Sequence, residues 1–412
     1  MNSPFDGSGH GPMELQRYNE LLQEKLDNQG PESSEILEPD SYKVPVVSSE
    51  FSVQLLSEAL QRRLTGGELL VLFEEASLLD VGRTAHQLRL KRANPSQVTY
   101  IIDRNVTYTN VCYVDCGFCA FNRHQGDGDD YMLSQEEILE KCRSVIEAGG
   151  NQILLQGGHH PKKRLEHYEE MLTGIKENWP QMWIHGFSPS EVQHFARLNK
   201  LSISEVLRRL KAAGMDSIPG GGAEILSDRV RRILAPGKAM SDEWIDIMEQ
   251  AHFAGLPTTA TMMFSHLETF AERVEHFLRV RNSQDKTGGY TAFIPWTFQP
   301  SNTPLLNKPE LKKVVMKQGF LGSTDYLRTL AISRIALDNF ANIQASWVTQ
   351  GKAVGQLTLM YGANDLGSTM MEESVVSAAG VSHALTRVDI EEMITGAGFQ
   401  SALRDNGYNI VG

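Results

Sequence analysis

Three of the four cysteines in this chain lie together, in Cys112-Tyr113-Val114-Asp115-Cys116-Gly117-Phe118-Cys119. Their spacing is C-x3-C-x2-C, and no fourth cysteine lies close by in the sequence. A structural zinc site requires four protein ligands, and ordinary ferredoxin-type clusters take four thiolates. Three thiolates on one loop can instead bind three irons of a [4Fe-4S] cluster and leave the fourth iron open. The motif therefore predicts a reactive cluster, with zinc or a redox pair as the alternatives.

The remaining cysteine, Cys142, is predicted to be a structural thiol. Ser134 and Glu137 have the spacing of a capping box, so a helix is expected to begin there. Ile138, Cys142 and Val145 then fall on one face of that helix. A free cysteine in such a position packs as a small hydrophobic side chain. We therefore do not expect Cys142 to bind the metal.

Length and composition are those of a globular enzyme. The chain has 412 residues, 41% of them hydrophobic and 35 of them glycine, enough for one large α/β barrel or two smaller domains. It has no apolar run of about 18 residues, so no spanning helix is expected. The first residues lack the basic and apolar segments of a signal peptide. Few cysteines and an oxygen-sensitive motif favour a cytoplasmic location.

The net charge of -12 is concentrated at the N-terminus. Residues 1–42 have nine acidic and two basic side chains, so seven of the twelve net negative charges lie there. This segment is predicted to be an acidic, disordered extension with one helix around residues 15–26. Residues 43–95 are predicted to form a helical segment, with Gly66 and Gly67 between two helices. The charge of the remaining chain does not indicate a nucleic-acid surface.

From residue 98 onward, short apolar segments alternate with amphipathic ones. Strands are predicted at 98–102, 152–155, 183–185, 216–218, 258–262, 291–294 and 343–345, with an eighth near 362–365. Helices are predicted at 166–178, 203–213, 242–254, 270–283 and 326–340. Such alternation is typical of a parallel sheet with crossover helices. Residues 96–412 are therefore predicted to form an α/β fold, a (β/α)8 TIM-type barrel with a C-terminal helical elaboration.

Glycine-rich and polar segments follow the predicted strands. In (β/α)8 barrels the chemistry gathers on the loops after the C-terminal ends of the strands. The cysteine loop follows the first predicted strand, and the next five are followed by residues 156–160, 185–189, 219–224, 263–266 and 295–300. One rim of the barrel is therefore predicted to hold the functional residues.

The cysteine loop, with Phe118 before its last cysteine, resembles the signature of the radical S-adenosylmethionine (SAM) superfamily. In that superfamily three cysteines, here Cys112, Cys116 and Cys119, hold a [4Fe-4S] cluster whose open iron binds the methionine part of SAM. Reductive cleavage of SAM then gives a 5′-deoxyadenosyl radical. The resemblance implies that Phe118 and Phe121 pack against the adenine, although simple barrel packing is an equal alternative.

The resemblance implies further cofactor contacts. Gln156-Gly157-Gly158 matches the place of the glycine-rich motif that takes the amino group of SAM by backbone contacts, although a Gly-Gly pair elsewhere is most often a turn. Glu224, expected at a helix start, can bind a ribose hydroxyl or an ammonium group. Its alternative role is a favourable interaction with the helix dipole. Ser188 is a weaker candidate for a ribose contact.

Three histidines are expected on the rim: His159, His185 and His266. Any of them can act as a general acid or base near neutral pH. A histidine held by structural hydrogen bonds is the more common case, so two of the three are expected to be structural.

Several longer runs are similar to one group of the superfamily, the dehypoxanthine futalosine cyclases of menaquinone biosynthesis. They are residues 109–112, 119–121, 216–225, 259–264, 292–300, 342–347 and 362–370, within a resemblance that covers roughly residues 50 to 412. The implied substrate is dehypoxanthine futalosine. The radical removes hydrogen from its sugar, the carbon radical attacks the attached benzoate-type ring, and loss of an electron and a proton gives the cyclic product. Reduced flavodoxin or ferredoxin fits as the electron donor.

Trp296, Thr297 and Gln299 are candidates for the substrate pocket, although this stretch can equally be core and turn. Two residues depart from the pattern of the group: Ser265 stands where glycine is expected and His159 where leucine is usual. Sister enzymes are the nearest alternative, namely aminofutalosine synthase or a subunit of the deazaflavin FO synthase. They favour Pro-Leu where this chain has Pro295-Trp296. A non-catalytic scaffold stabilised by metal is the distant alternative.

Overall fold

The computed structural model describes residues 12–27, 36, 45–319, 322–381 and 383–411. Within these residues, four helices precede the barrel: α1 Pro12–Asp27, α2 Glu50–Glu58, α3 Gly66–Glu75 and α4 Leu78–Arg92. Hydroxyl side chains cap the last three, at Ser49, Thr65 and Ser77. Helices therefore occupy residues 50–58, 66–75 and 78–92 of the segment that was predicted to be helical. Gly66 and Gly67 are nevertheless the first residues of α3 rather than a break before it, because Thr65 and Glu68 form a capping box.

Helix α1 lies within the predicted acidic extension, where one helix was expected. Its Leu22 is only 6% exposed, and its Asn19 Oδ1 accepts a hydrogen bond from Gly67 N at 3.0 Å. Residues 12–27 are therefore packed on α3 rather than detached. The rest of the predicted extension lies outside the described residues, apart from Ile36, so its disorder stays a prediction.

The described chain then has nine strands: β1 Gln97–Ile101, β2 Asp103–Thr107, β3 Gln152–Gln156, β4 Trp183–Gly186, β5 Thr258–Phe264, β6 Tyr290–Thr297, β7 Asn342–Ile343, β8 Asp365–Ser368 and β9 Gln400–Leu403. The helices among them are α5 Gln135–Glu147, α6 Leu165–Asn178, α7 Pro189–Asn199, α8 Ile203–Ala213, α9 Asp228–Leu234, α10 Ser241–Phe253, α11 Phe270–Thr287, α12 Pro309–Gly319, α13 Gly322–Ala336, α14 Trp347–Leu357, α15 Val375–Ala378 and α16 Arg387–Gly396. Helix α4 packs along α13, which joins the N-terminal helices to the barrel.

The strands form a closed parallel barrel. They pair in the orders β8-β1-β9, β2-β3-β4 and β5-β6-β7. Single bridges connect these sheets, from His185 to Ser217, from Ile218 to Thr258 and from Gln344 to Asp365. One residue separates β1 from β2, so the two act as one bent strand that closes the ring. The predicted TIM-type barrel is confirmed, although residues 216–218 contribute bridges only and form no named strand.

Three elements, β2, β9 and α13, differ from the sequence prediction. The cysteine loop follows β2, not the strand expected at 98–102, because the chain continues as a strand through Thr107. Asp103 and Asn105 face the barrel interior and Arg104 pairs with Glu372 at 2.7 Å, so polar residues conceal this strand. Strand β9 was also missed, and α13 ends at residue 336 rather than 340.

Register fixes the depth of the residues inside the barrel. Asp103, Gln152 and Trp183 are paired neighbours, and so are Asn105, Leu154 and His185 one layer further along the strands. A third layer joins Thr107 to Gln156, directly below the cysteine loop. Successive layers are two residues apart, or roughly 7 Å.

The C-terminal segment closes the other end of the barrel. After β9, which pairs with the start of β1, the chain turns back with an antiparallel bridge between Arg404 and Ile410. Asn406 of this hairpin donates to Ser217 Oγ at 3.0 Å. The hairpin at 400–410 therefore forms the floor of the barrel interior. Within the described part of the chain, no helix is long and apolar enough to cross a membrane.

Candidate active site

A cavity of about 420 Å³ occupies the barrel between the cysteine loop and the C-terminal hairpin. Ten residues predicted to bind the cluster or SAM line it: Cys112, Cys116, Cys119, Phe118, Phe121, Gln156, Gly157, Gly158, Ser188 and Glu224. Trp296, His159 and His185 line it as well, whereas Thr297, Gln299 and His266 do not. The structure thus brings most of the predicted site together on one rim.

Backbone hydrogen bonds hold the cysteine loop in place. Cys112 N donates to Arg123 O at 2.9 Å, and Gly117 bonds to Leu234 O and to Leu305 N, each at 2.7 Å. Burial raises the pKa of the Cys112 thiol and raises that of Cys116 to about 12. These two thiols are therefore protonated when no metal is bound, and a bound metal would have to deprotonate them.

The donor set fits a cluster. Among the described residues, no three ligating side chains converge on a single metal ion, whereas three thiols on one loop can each bind a different iron. The Cys112 sulfur also accepts backbone hydrogen bonds from Val114 and His159, which suits a charged sulfur ligand. The residues present are those that a [4Fe-4S] cluster with one open iron would need.

The glycine turn after β3 approaches the cysteine loop closely. A Cβ on Gly158 would lie under 3.0 Å from Val111 O, and one on Gly157 would lie 2.5 Å from Tyr108 Cε2. Gly157 N donates to Glu191 Oε1 and Gly158 N to Thr109 O. Both amide groups therefore have partners within the protein, and neither is free to bind a ligand in the cavity.

We expect Gly158→Ala to displace the cysteine loop, because the new methyl group overlaps backbone and not a flexible side chain. The iron content of the purified protein should fall several-fold. Gly117→Ala is the matched control in the same region, since its nearest neighbour would be Leu305 Cδ1 at an ordinary 3.5 Å. Equal iron content in both variants would contradict the proposed role of the close approach.

Glu191, which the sequence did not single out, joins three parts of the rim. Its Oε1 accepts from Tyr108 OH at 2.7 Å and from Gly157 N at 3.0 Å. Its Oε2 accepts from both the amide and the hydroxyl of Ser188 at 2.7 Å. Ser188 is thus the N-cap of α7, and a ribose would have to compete for its hydroxyl. Ser188 and Glu191 have the spacing of a capping box, which is a signal that could have been found in the sequence.

Glu224 is part of a buried ion pair rather than a helix start. It has φ of 44°, and α9 begins four residues later, at Asp228. Its Oε1 lies 3.0 Å from Lys238 Nζ, with side-chain exposures of 7% and 17%. Burial lowers the pKa of Lys238, but the carboxylate of Glu224 more than offsets this effect, so the pKa is raised. Lys238 Nζ also lies 5.0 Å from the Phe118 ring centroid.

The three candidate histidines have different environments. His266 is fully buried outside the cavity, with Nε2 3.0 Å from Met263 O and Nδ1 2.9 Å from Glu268 Oε2. His159 lines the cavity and stacks on His194 at a centroid distance of 5.2 Å, and burial holds its pKa well below the usual value. His185 lies deeper, in contact with Ser217. His266 therefore has the contacts of a structural histidine.

Of the three residues predicted to bind the substrate, one lines the cavity and two do not. Trp296 lines the cavity on β6. Thr297 points away, and its Oγ1 accepts from Gln350 Nε2 at 2.6 Å and from Gln299 Nε2 at 3.1 Å. Sequence reasoning missed Arg404, Asn406 and Tyr408, which line the cavity from the C-terminal hairpin.

Sequence comparisons agree with this geometry. The family model described as "Radical SAM superfamily" matches residues 106–280, and the one described as "CofH/MqnC C-terminal region" matches residues 287–411. The cyclic dehypoxanthine futalosine synthase of Streptomyces coelicolor is 45% identical, over 84% of this chain and 85% of that protein. The 5-amino-6-(D-ribitylamino)uracil–L-tyrosine 4-hydroxyphenyl transferase 1 of Methanosarcina acetivorans is 42% identical, over 85% of this chain and 92% of that protein.

Among solved structures, the FeFe-hydrogenase maturase HydG from Carboxydothermus hydrogenoformans aligns with a TM-score of 0.68 at 16% identity. The alignment covers 96% of this chain and 85% of that chain, and at this identity it shows the fold alone. With its three-cysteine loop, its barrel and its relatives, the chain belongs to the radical SAM superfamily of enzymes, in the branch that carries a CofH/MqnC C-terminal region.

Proposed function

We propose that this protein is a radical SAM cyclase that converts dehypoxanthine futalosine to its cyclic product in menaquinone biosynthesis. The observation that carries the proposal is that the three-cysteine loop, the glycine turn and Trp296 open into one cavity. The similarity to the Streptomyces coelicolor enzyme supports the choice of substrate. A reducing cytoplasm, which keeps cysteine thiols free for iron, is the proposed location.

The residues of the rim have separate roles in this proposal. Cys112, Cys116 and Cys119 hold the [4Fe-4S] cluster, and the carbonyl oxygens of Gly157 and Gly158 accept hydrogen bonds from the amino group of SAM. When bound, the cluster and SAM supply a 5′-deoxyadenosyl radical for hydrogen abstraction. Trp296, with Phe118 and Phe121, gives the wall a flat apolar surface that excludes water.

An anaerobic assay tests the reaction. Reconstituted protein receives SAM, a strong reductant and dehypoxanthine futalosine, and the products are identified by mass spectrometry. The expected products are 5′-deoxyadenosine and a substrate-derived species lighter by a pair of hydrogen atoms. If protein with an intact cluster forms neither product, the radical function is wrong.

The second candidate is the 4-hydroxyphenyl transfer named for the Methanosarcina acetivorans relative, which is nearly as similar. Trp296 on the cavity wall argues for the cyclase, since the sister enzymes favour leucine there. The same assay with 5-amino-6-(D-ribitylamino)uracil and L-tyrosine separates the two. Coupling of these two compounds by a protein that leaves dehypoxanthine futalosine unchanged would assign the transferase activity. Aminofutalosine synthase activity is tested separately, with the substrate of that enzyme.

A small acidic electron-transfer protein, flavodoxin or ferredoxin, is the proposed electron donor. The segment Lys162-Lys163-Arg164 begins four residues after Gly158 and has exposed side chains at 162 and 164, in a chain whose net charge is -12. Tyr113, the neighbour of Cys112, is 46% exposed. A cationic surface beside the cluster loop is complementary to an acidic donor.

Replacing Lys162, Lys163 and Arg164 with Glu should raise the concentration of reduced flavodoxin needed for half-maximal turnover about 10-fold. The reason is that charges at the rim of an interface control the rate at which the two proteins associate. Turnover with a chemical reductant should not change. Arg83→Glu/Lys91→Glu, on the exposed face of α4, is the matched control. An equal effect with both reductants would show that the reversal damaged the enzyme and did not affect docking.

A further inference from the structure

Strand β4 places His185 in the middle layer of the barrel interior. His185 lines the cavity and pairs in register with Leu154. Thr107 and Gln156 form the layer above it, so His185 lies roughly 7 Å below the level of Gln156. A substrate that extends downward from the glycine turn therefore meets this ring.

Ser217 determines which ring nitrogen of His185 carries hydrogen. Its Oγ lies 2.7 Å from Trp183 Nε1 and 3.0 Å from Asn406 Nδ2, and both of these groups donate. A hydroxyl has two acceptor positions and one hydrogen. The hydrogen of Ser217 is therefore left for His185 Nδ1, at 2.6 Å. When Nδ1 of a neutral imidazole accepts, Nε2 carries the hydrogen.

The surroundings keep this ring neutral. Burial, with a smaller effect from Arg404, lowers the pKa of His185 to about 3. Arg404 is itself bonded to Asp365, from Nε to Oδ2 at 2.5 Å and from a terminal nitrogen to Oδ1 at 3.0 Å, so its charge is balanced. With the ring neutral and Arg404 paired to Asp365, no unpaired positive charge is offered to an anionic ligand group at His185, so an uncharged oxygen is favoured.

We propose that His185 is the hydrogen-bond donor of a substrate subsite, in which its Nε2–H binds an uncharged oxygen of the substrate, a sugar hydroxyl by class. The proposal rests on the proposed function, whose substrate carries a sugar. Trp183, Ser217 and Asn406 are positioning residues that fix the tautomer. His185 is not the proton acceptor of the reaction, because Nδ1 is occupied and Nε2 already holds a hydrogen.

The test measures binding without turnover. Enzyme with cluster and SAM, but no reductant, is equilibrated with dehypoxanthine futalosine and with analogues that each lack one sugar hydroxyl. The wild-type protein should bind one analogue about 10-fold more weakly than the substrate, the cost of one lost hydrogen bond. His185→Ala should bind the substrate about 10-fold more weakly and no longer distinguish that analogue. His185→Gln, which offers an amide N–H, should recover most of the affinity.

Two further variants separate tautomer control from packing. Ser217→Ala removes the group that donates to Nδ1 and should weaken binding several-fold. Trp183→Phe keeps an aromatic ring but frees one acceptor position of Ser217 for Nδ1–H, so it should weaken binding in the same direction and by less. If His185→Ala distinguishes every analogue as the wild type does, the subsite is wrong. If the wild type does not bind dehypoxanthine futalosine, the proposed function is wrong instead. Wild type and His185→Ala are then compared with 5-amino-6-(D-ribitylamino)uracil and with its analogues that each lack one hydroxyl of the ribityl chain.

Discussion

We expect alanine at any one of Cys112, Cys116 or Cys119 to abolish both cluster assembly and 5′-deoxyadenosine formation. Each thiol is the sole ligand available to one iron, because no other cysteine among the described residues lines the cavity. The two remaining thiols can bind only two of the irons, so the third iron has no protein ligand. Iron and sulfide content, measured anaerobically after reconstitution, should fall to background together with activity.

Cys142→Ala is the matched control for these variants. Cys142 is fully buried on α5, within the main hydrophobic core, and does not line the cavity. The substitution should lower the free energy of unfolding by about 1 kcal/mol through lost packing and leave iron content unchanged. Loss of iron from this variant would show that the ligand assignment is wrong.

The second large effect is expected at Lys238. Lys238→Met removes the partner of Glu224 and leaves a carboxylate buried beside the cysteine loop. Breaking a buried ion pair on one side costs about 3–5 kcal/mol, because the remaining charge is uncompensated. The urea midpoint of the cluster-loaded protein should therefore fall, and cluster retention should fall with it.

The double variant Lys238→Met/Glu224→Gln tests this reason. The double variant also removes the Glu224 carboxylate, which Lys238→Met alone leaves buried and unpaired. Most of the lost free energy of unfolding should therefore be recovered. If the two substitutions add their costs, the carboxylate is not the cause and the loss comes from packing against Phe118. Lys238→Arg, which keeps the charge, should remain close to the wild type in iron content.

The features that a short segment of sequence determines could be predicted from the sequence. The apolar strands, the capped helices and the cysteine motif are each contained in a short segment of sequence, and the structure has them. Strand β2 was missed because its inward residues, Asp103 and Asn105, are polar and face the cavity. A strand of a barrel that encloses a ligand does not need an apolar interior face, so periodicity gives no signal there.

The rest of the site depends on contacts between distant residues. Nothing around Lys238 indicates that it is buried, and its partner Glu224 is identified only by the folded loop. Asn406 reaches Ser217 across 189 positions of sequence. Glu224 was expected at a helix start, but the chain takes a left-handed turn first, which a glycine-rich segment permits.

The floor made by residues 400–410 has a consequence for how the chain is synthesised. Gln97 of β1 pairs with Gln400 of β9, 303 positions later. The edge of β1 that pairs with β9 therefore has no partner until all of these residues have been translated. At roughly 5–20 residues per second, that interval lasts roughly 15–60 s on the ribosome. During it, an unpaired strand edge and an unfinished core are exposed to other chains. We therefore expect recombinant yield to depend strongly on chaperones and temperature, and a chain truncated before residue 400 to aggregate.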